Sequence, residues 1–109
     1  MKAIFIDIDI PYEYMKRYRL DKVLELKIHL CLNQFGLTLE KYRIDRSQCG
    51  NTHLRVIIKE NIDPVTIIRF KYCVGEDHKR LTHTIRRYEK TGKILDFFWL
   101  SKNKKCVES

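Results

Sequence analysis

Two aspartates, Asp7 and Asp9, stand two residues apart in the alternating segment Ala3-Ile4-Phe5-Ile6-Asp7-Ile8-Asp9-Ile10. On a β-strand that spacing sends both carboxylates to one face, their origins about 6–7 Å apart along the chain. Two bare carboxylates repel, and a divalent cation, Mg²⁺ or Mn²⁺, is the common resolution where phosphoryl groups are transferred. A later apolar segment gives Leu54, Val56 and Ile58 to one side, which sends His53 and Arg55 to the other. Arginine offers phosphate oxygens a planar fork of donors, and histidine a proton or a hydrogen bond, so this pair beside the aspartates suits a nucleoside triphosphate. Asp96, near the end of the chain, is a candidate third carboxylate.

The elements that must position these groups follow from periodicity. Residues 3–10 alternate as a strand with Ile4, Ile6, Ile8 and Ile10 on the core side, ended by Pro11. Over residues 20–35, Leu20, Val23, Leu24, Leu26, Leu30, Cys31 and Phe35 form a broad apolar helical stripe, stopped by Gly36. Residues 40–46 and 53–59 flank the polar turn Ser47-Gln48-Cys49-Gly50-Asn51-Thr52, a hairpin in which Gly50 and Asn51 tolerate positive φ. Asp63-Pro64 caps and opens a helix that runs to Gly75. Glu76-Asp77 opens another, with Leu81, Ile85 and Tyr88 on one face and Gly92 as its stop. A last strand covers residues 94–100, so Leu81 and Ile85 are expected to join Ile6, Ile8, Leu54 and Val56 in the core.

The order strand, helix, strand, strand, two helices, strand is that of a ferredoxin-like or RNA-recognition-motif-like α+β fold. It implies sheet order 4-1-3-2, with helices on one face and the aspartates on the other. Residues 1–101 are expected to form one domain and residues 102–109 a basic polar tail.

A chain of 109 residues with 44% hydrophobic residues supports one core, and its apolar runs are too short for a membrane span. Asp7 interrupts the start before any signal-peptide core forms, so a cytoplasmic location is expected. Cys31, Cys49, Cys73 and Cys106 include no C-x-x-C pair, which argues against a zinc finger. Reduced, inert thiols are the expectation for a cytoplasmic chain, with disulfides the alternative in a hyperthermophile.

The stretch Ile4-Phe5-Ile6-Asp7-Ile8-Asp9, the turn from Ser47 to His53 and the pair Leu95-Asp96 resemble, in order and placement, the motifs of archaeo-eukaryotic primases and their primase-polymerase relatives. The turn with His53 and Arg55, and Gly75-Glu76-Asp77 with Arg80, also look like small proteins of crenarchaeal viruses and plasmids. Cys49 and Asn51 stand where relatives often have glycine. The resemblance implies a metal-dependent nucleotidyltransferase acting in replication of a virus or mobile element, in a host cytoplasm if viral. Asp7, Asp9 and Asp96 would hold the metal, Asp7, Asp9, His53 and Asp96 would be catalytic, and Ser47, Gly50, Asn51 and Arg55 would hold the nucleotide.

Twenty-two Lys and Arg against fourteen Asp and Glu leave a net charge of +8, which favours a polyanionic partner, nucleic acid first. The bases cluster after residue 68: Arg69, Lys71, Lys79, Arg80, Arg86, Arg87, Lys90 and Lys93, then three lysines in the tail. Lys79, Arg80, Arg86, Arg87 and Lys90 are the candidate nucleic-acid contacts, set against a merely solvated helix face. His78 and His83 read as surface residues on that helix and His29 as structural. In Tyr12-Glu13-Tyr14-Met15-Lys16-Arg17-Tyr18-Arg19 rings and bases interleave, either to stack on nucleobases or to cover the core edge from a loop or short helix. Two further readings stand beside the enzyme: a noncatalytic RNA-recognition-motif-like binding module, and an interaction protein that has lost activity. A second copy of the chain is a further candidate partner.

Overall fold

The computed structural model describes residues 2–94, within which three strands and four helices follow one another. They are β1 (Lys2–Pro11), α1 (Tyr12–Arg17), α2 (Leu20–Gln34), β2 (Leu39–Arg46), β3 (Asn51–Ile58), α3 (Pro64–Val74) and α4 (His78–Thr91). The sheet order is β1-β3-β2, and both outer strands run antiparallel to β3. β1 and β2 are therefore parallel to each other, joined by the α1–α2 crossover with β3 inserted between them. The expected fourth strand, at residues 94–100, lies outside the described residues apart from Ile94.

Alternation sorts the sheet faces. Ile4, Ile6 and Ile8 of β1 and Leu54, Val56 and Ile58 of β3 are buried, with Leu24, Ile28, Cys31 and Leu32 of α2 and Ile67, Phe70 and Val74 of α3 packed over them. This is the expected core face. The α2 face differs from the expected one: the helix buries residues 24, 28, 31 and 32 and leaves Val23, Leu26 and Leu30 60%, 66% and 70% exposed. The helix carries two apolar stripes, and the sheet takes the one with i, i+4, i+7 and i+8 spacing. Leu81 is buried but outside the main cluster, and Ile85 is only half-buried, so α4 does not extend that core as expected.

Cys31 and Cys73 form a disulfide across α2 and α3, and Cys49 is disulfide-bonded as well. This corrects the expectation of reduced thiols. The helices lie antiparallel, as Lys27 beside Gly75 and the Phe35–Phe70 edge-to-face contact at 6.3 Å also show, which brings the two Cα atoms to 6.1 Å. That separation suits a disulfide, and no sequence spacing could reveal it. Such bonds persist in an oxidising compartment or inside a hyperthermophile. No helix among the described residues is long and apolar enough to cross a membrane.

Lys71, expected on the basic surface, is buried instead and pairs with buried Glu76 at 3.5 Å. The chain turns there through Gly75, whose φ of +103° caps α3. A side chain is strained at that angle, so Gly75→Ala is expected to cost about 1–3 kcal/mol in urea denaturation. An unchanged midpoint would show that the turn tolerates another conformation.

Candidate functional site

The site is built at the end of β1 where β3 pairs with it. Asp7 stands directly opposite His53 in the ladder, and Asp45 of β2 stands opposite His53 on its other side. His53 Nε2 lies 3.7 Å from Asp7 Oδ1, both side chains about 20% exposed. That distance is an ion-pair contact and too long for a hydrogen bond. Asp7 Oδ1 is buried and accepts no hydrogen bond among the described residues.

The hairpin turn closes one side. Ser47 N–H donates to the Asn51 carbonyl at 2.7 Å, Gly50 N–H to the Ser47 carbonyl at 3.0 Å, and Tyr12 N–H to the Gly50 carbonyl at 2.8 Å. The last of these ties the turn to the start of α1, and Thr52 Oγ1 donates to the Ile10 carbonyl at 2.8 Å. These bonds hold the turn against the outgoing end of β1.

The other side comes from α4. Asp77 N–H donates to the Asp7 carbonyl at 2.7 Å, and the Asp77 carboxylate accepts from Lys79 N–H at 3.4 Å as the helix cap. Docking Asp77 on β1 places Arg80, one turn into α4, at the pocket. Asp7, His53, Arg80 and the turn residues Ser47, Gln48, Cys49 and Asn51 together line a cavity of about 90 Å³. That is room for a few waters or one phosphoryl group.

The charges oppose one another. Burial is the main influence on the Asp7 carboxyl and raises it above its ordinary value; His53 and then Arg80 pull it down, and Asp77 and Asp9 push it up. A partly desolvated carboxylate, an imidazole and a guanidinium thus share one small space. Such a set can hold an anion between His53 and Arg80, or a cation against Asp7.

The other expected site residues fall as follows. Asp9 lies off the core face and is exposed, beyond the last regular pair, Ile8–Thr52. Gly50 belongs to the turn, with its Cα backed by the Arg46 guanidinium. Arg55 sits one row from the pocket on the same face, its guanidinium 5.5 Å from the centre of the Phe5 ring. Asp96 lies outside the described residues. Lys79, Arg86, Arg87 and Lys90 are exposed on α4.

No protein-family model matches the chain, and no curated protein or solved structure does either. Arg80, a candidate nucleic-acid contact in the sequence and part of the Gly75-Glu76-Asp77 and Arg80 likeness, lines the pocket, and Asp77, expected as a helix start, docks beside it on β1. Gln48 and Cys49 line the pocket because the turn does. The tyrosine-rich segment forms α1 and buries Met15, while Tyr14 and Tyr18 are exposed. Lys16 lies over Tyr12 at 5.5 Å and Arg17 over Tyr14 at 5.3 Å, so local cations already occupy these rings.

Proposed function

We propose that this chain is a nucleic-acid-associated protein related to the primase-polymerase superfamily, and that the Asp7–His53–Arg80 pocket serves metal-dependent nucleotidyl transfer. The supporting observation is the convergence of distant segments: Asp7, the 47–51 turn with His53, and Arg80 line one cavity. Two of these three segments carry the likeness to primases. The ferredoxin-like or RNA-recognition-motif-like topology belongs to the same proposal, since β1-β3-β2 supplies three strands of the 4-1-3-2 order.

Mg²⁺ commonly binds through one or two carboxylates plus water and substrate phosphates, so the donors here fit it: Asp7, with an oxygen that accepts no hydrogen bond, and the nearby Asp9. When bound, the metal would neutralise charge on the triphosphate and orient it. Arg80 would supply paired donors to a phosphate oxygen and His53 a single one, while the Asp7 carboxylate would hold the metal beside them. The partly dry surroundings of Asp7 strengthen each of these interactions relative to water.

A second reading, the noncatalytic binding module, is favoured by one observation. Among the described residues that line the pocket Asp7 is the one carboxylate, and Asp9 stands outside it. Incorporation of labelled nucleotide on primed and unprimed templates, with Mg²⁺ or Mn²⁺, separates the two. Under the catalytic reading synthesis requires metal, and Arg80→Ala weakens triphosphate binding about tenfold. Nucleic-acid binding without any metal-stimulated synthesis would make the noncatalytic module the correct account.

A further inference from the structure

We infer that the outer face of α4, together with Tyr72, is a binding surface for single-stranded nucleic acid; this rests on the nucleic-acid reading above and names the form of the partner. Tyr72, in the last turn of α3, is 65% exposed and stacks on His78, the first residue of α4, with centroids 5.9 Å apart and planes 20° apart. An aromatic pair in solvent is a stacking platform for bases. From that platform runs a groove of about 410 Å³ lined by His78, Lys79, Thr82, His83 and Arg86. That volume is within the range of small-ligand sites and admits a nucleotide.

The charge pattern continues the same line. Lys79, His83, Arg86 and Lys90 are all exposed and follow i, i+4, i+7, i+11 spacing, which places them on one helical face. Their axial steps are about 4.5–6 Å and the stripe is about 16 Å long. Those steps resemble the interval between phosphates of an extended single strand. Glu89 is the one acidic residue of α4 and lies off this stripe.

Three cations, Lys79, Arg86 and Lys90, with the His83 ring between the first two, beginning at an exposed ring pair, fit a strand whose bases are unpaired. A duplex hides its base faces, and an acidic peptide offers charge without successive rings to stack. The platform and stripe begin at the same helix start that delivers Arg80 to the pocket.

Fluorescence anisotropy of a labelled twelve-nucleotide strand, and of a hairpin duplex of the same length, tests the inference. The single strand should bind at least tenfold more tightly than the duplex. Tyr72→Ala should weaken single-strand binding about tenfold, with Tyr72→Trp restoring it and the salt dependence unchanged. The triple variant Lys79→Gln, Arg86→Gln, Lys90→Gln should instead lower the slope of log affinity against log salt by about 2. Equal or tighter duplex binding, or no effect of Tyr72→Ala, overturns the inference while leaving nucleic-acid binding intact. No binding of either probe at low salt overturns the nucleic-acid reading itself.

Discussion

Replacing both Cys31 and Cys73 by alanine is expected to lower the unfolding free energy by about 4 kcal/mol. The bond joins residues 42 apart in sequence, and its loss returns the entropy of closing that loop to the unfolded chain. Against a total stability of roughly 5–15 kcal/mol for a domain this size, the change removes a large share. It should also lower Tm by on the order of 15–20 °C. The variant isolates this bond, whereas reductant added to the unmodified protein also opens the disulfide of Cys49. Guanidinium or urea titration of the variant under oxidising conditions is the measurement. A midpoint matching that of the intact protein would mean that α2 and α3 are held by packing alone, through Phe35, Phe70 and the surrounding aliphatic residues.

The second large effect concerns Asp7. Under the proposed catalytic reading, Asp7→Asn reduces metal-dependent nucleotide incorporation on the order of 10²–10³-fold, because the amide has the carboxylate's shape without its charge. Nucleic-acid binding should persist and tighten slightly as one repulsive charge disappears. The same variant should be more stable at neutral pH, since burial disfavours the charge of the carboxylate and the amide carries none. The sign with pH follows from the raised Asp7 value. The folded state holds its proton to higher pH than the unfolded state, so the native protein loses stability as pH rises through the folded value. The advantage of the asparagine variant should therefore be small near pH 3 and grow toward neutrality. Thermal melts between pH 3 and 7 measure it. An advantage that shrinks over that interval would assign Asp7 a favourable ion pair with His53 and Arg80, and undiminished synthesis by the variant would remove Asp7 from the chemistry.

Much of the framework could be read from the residues themselves. Alternation along β1 and β3 places Ile4, Ile6, Leu54 and Val56 beneath the helices and Asp7 and His53 on the other side, because a strand has only two faces. Helix ends were equally legible: Asp63-Pro64 starts α3, and Gly75 and Gly92 end α3 and α4 in left-handed conformations. What depended on through-space approach was not legible. Two apolar stripes on α2 compete for one sheet, and only packing decides between residues 24, 28 and 31 and residues 23, 26 and 30. Lys71 counts as a surface charge until Glu76 folds back over it. Arg80 counts as a nucleic-acid contact on a helix face until Asp77 docks on the Asp7 carbonyl and brings it to the pocket. Asp96 and the expected fourth strand, Ile94 apart, fall beyond the described residues, so the described site consists of β1, β3, the turn between β2 and β3, and the start of α4.

The strand in the middle of the described sheet is the last of the three to be synthesised. β1 and β2 have no edge in common, so neither gains a ladder partner until residues 51–58 have left the ribosome. More than half the chain must therefore emerge before the sheet can nucleate, and β1 then pairs with a segment more than forty residues away. Such non-local closure slows folding and lengthens the time for which the isoleucine face of β1 is uncovered. The Asp7–His53 contact is born in that same late step, and Arg80 joins it only after α4 has been made. A nascent chain cut short before residue 77 would thus lack Arg80 and the Asp77 contact that brings it to the cavity, so the cavity is completed after the strands that form its floor.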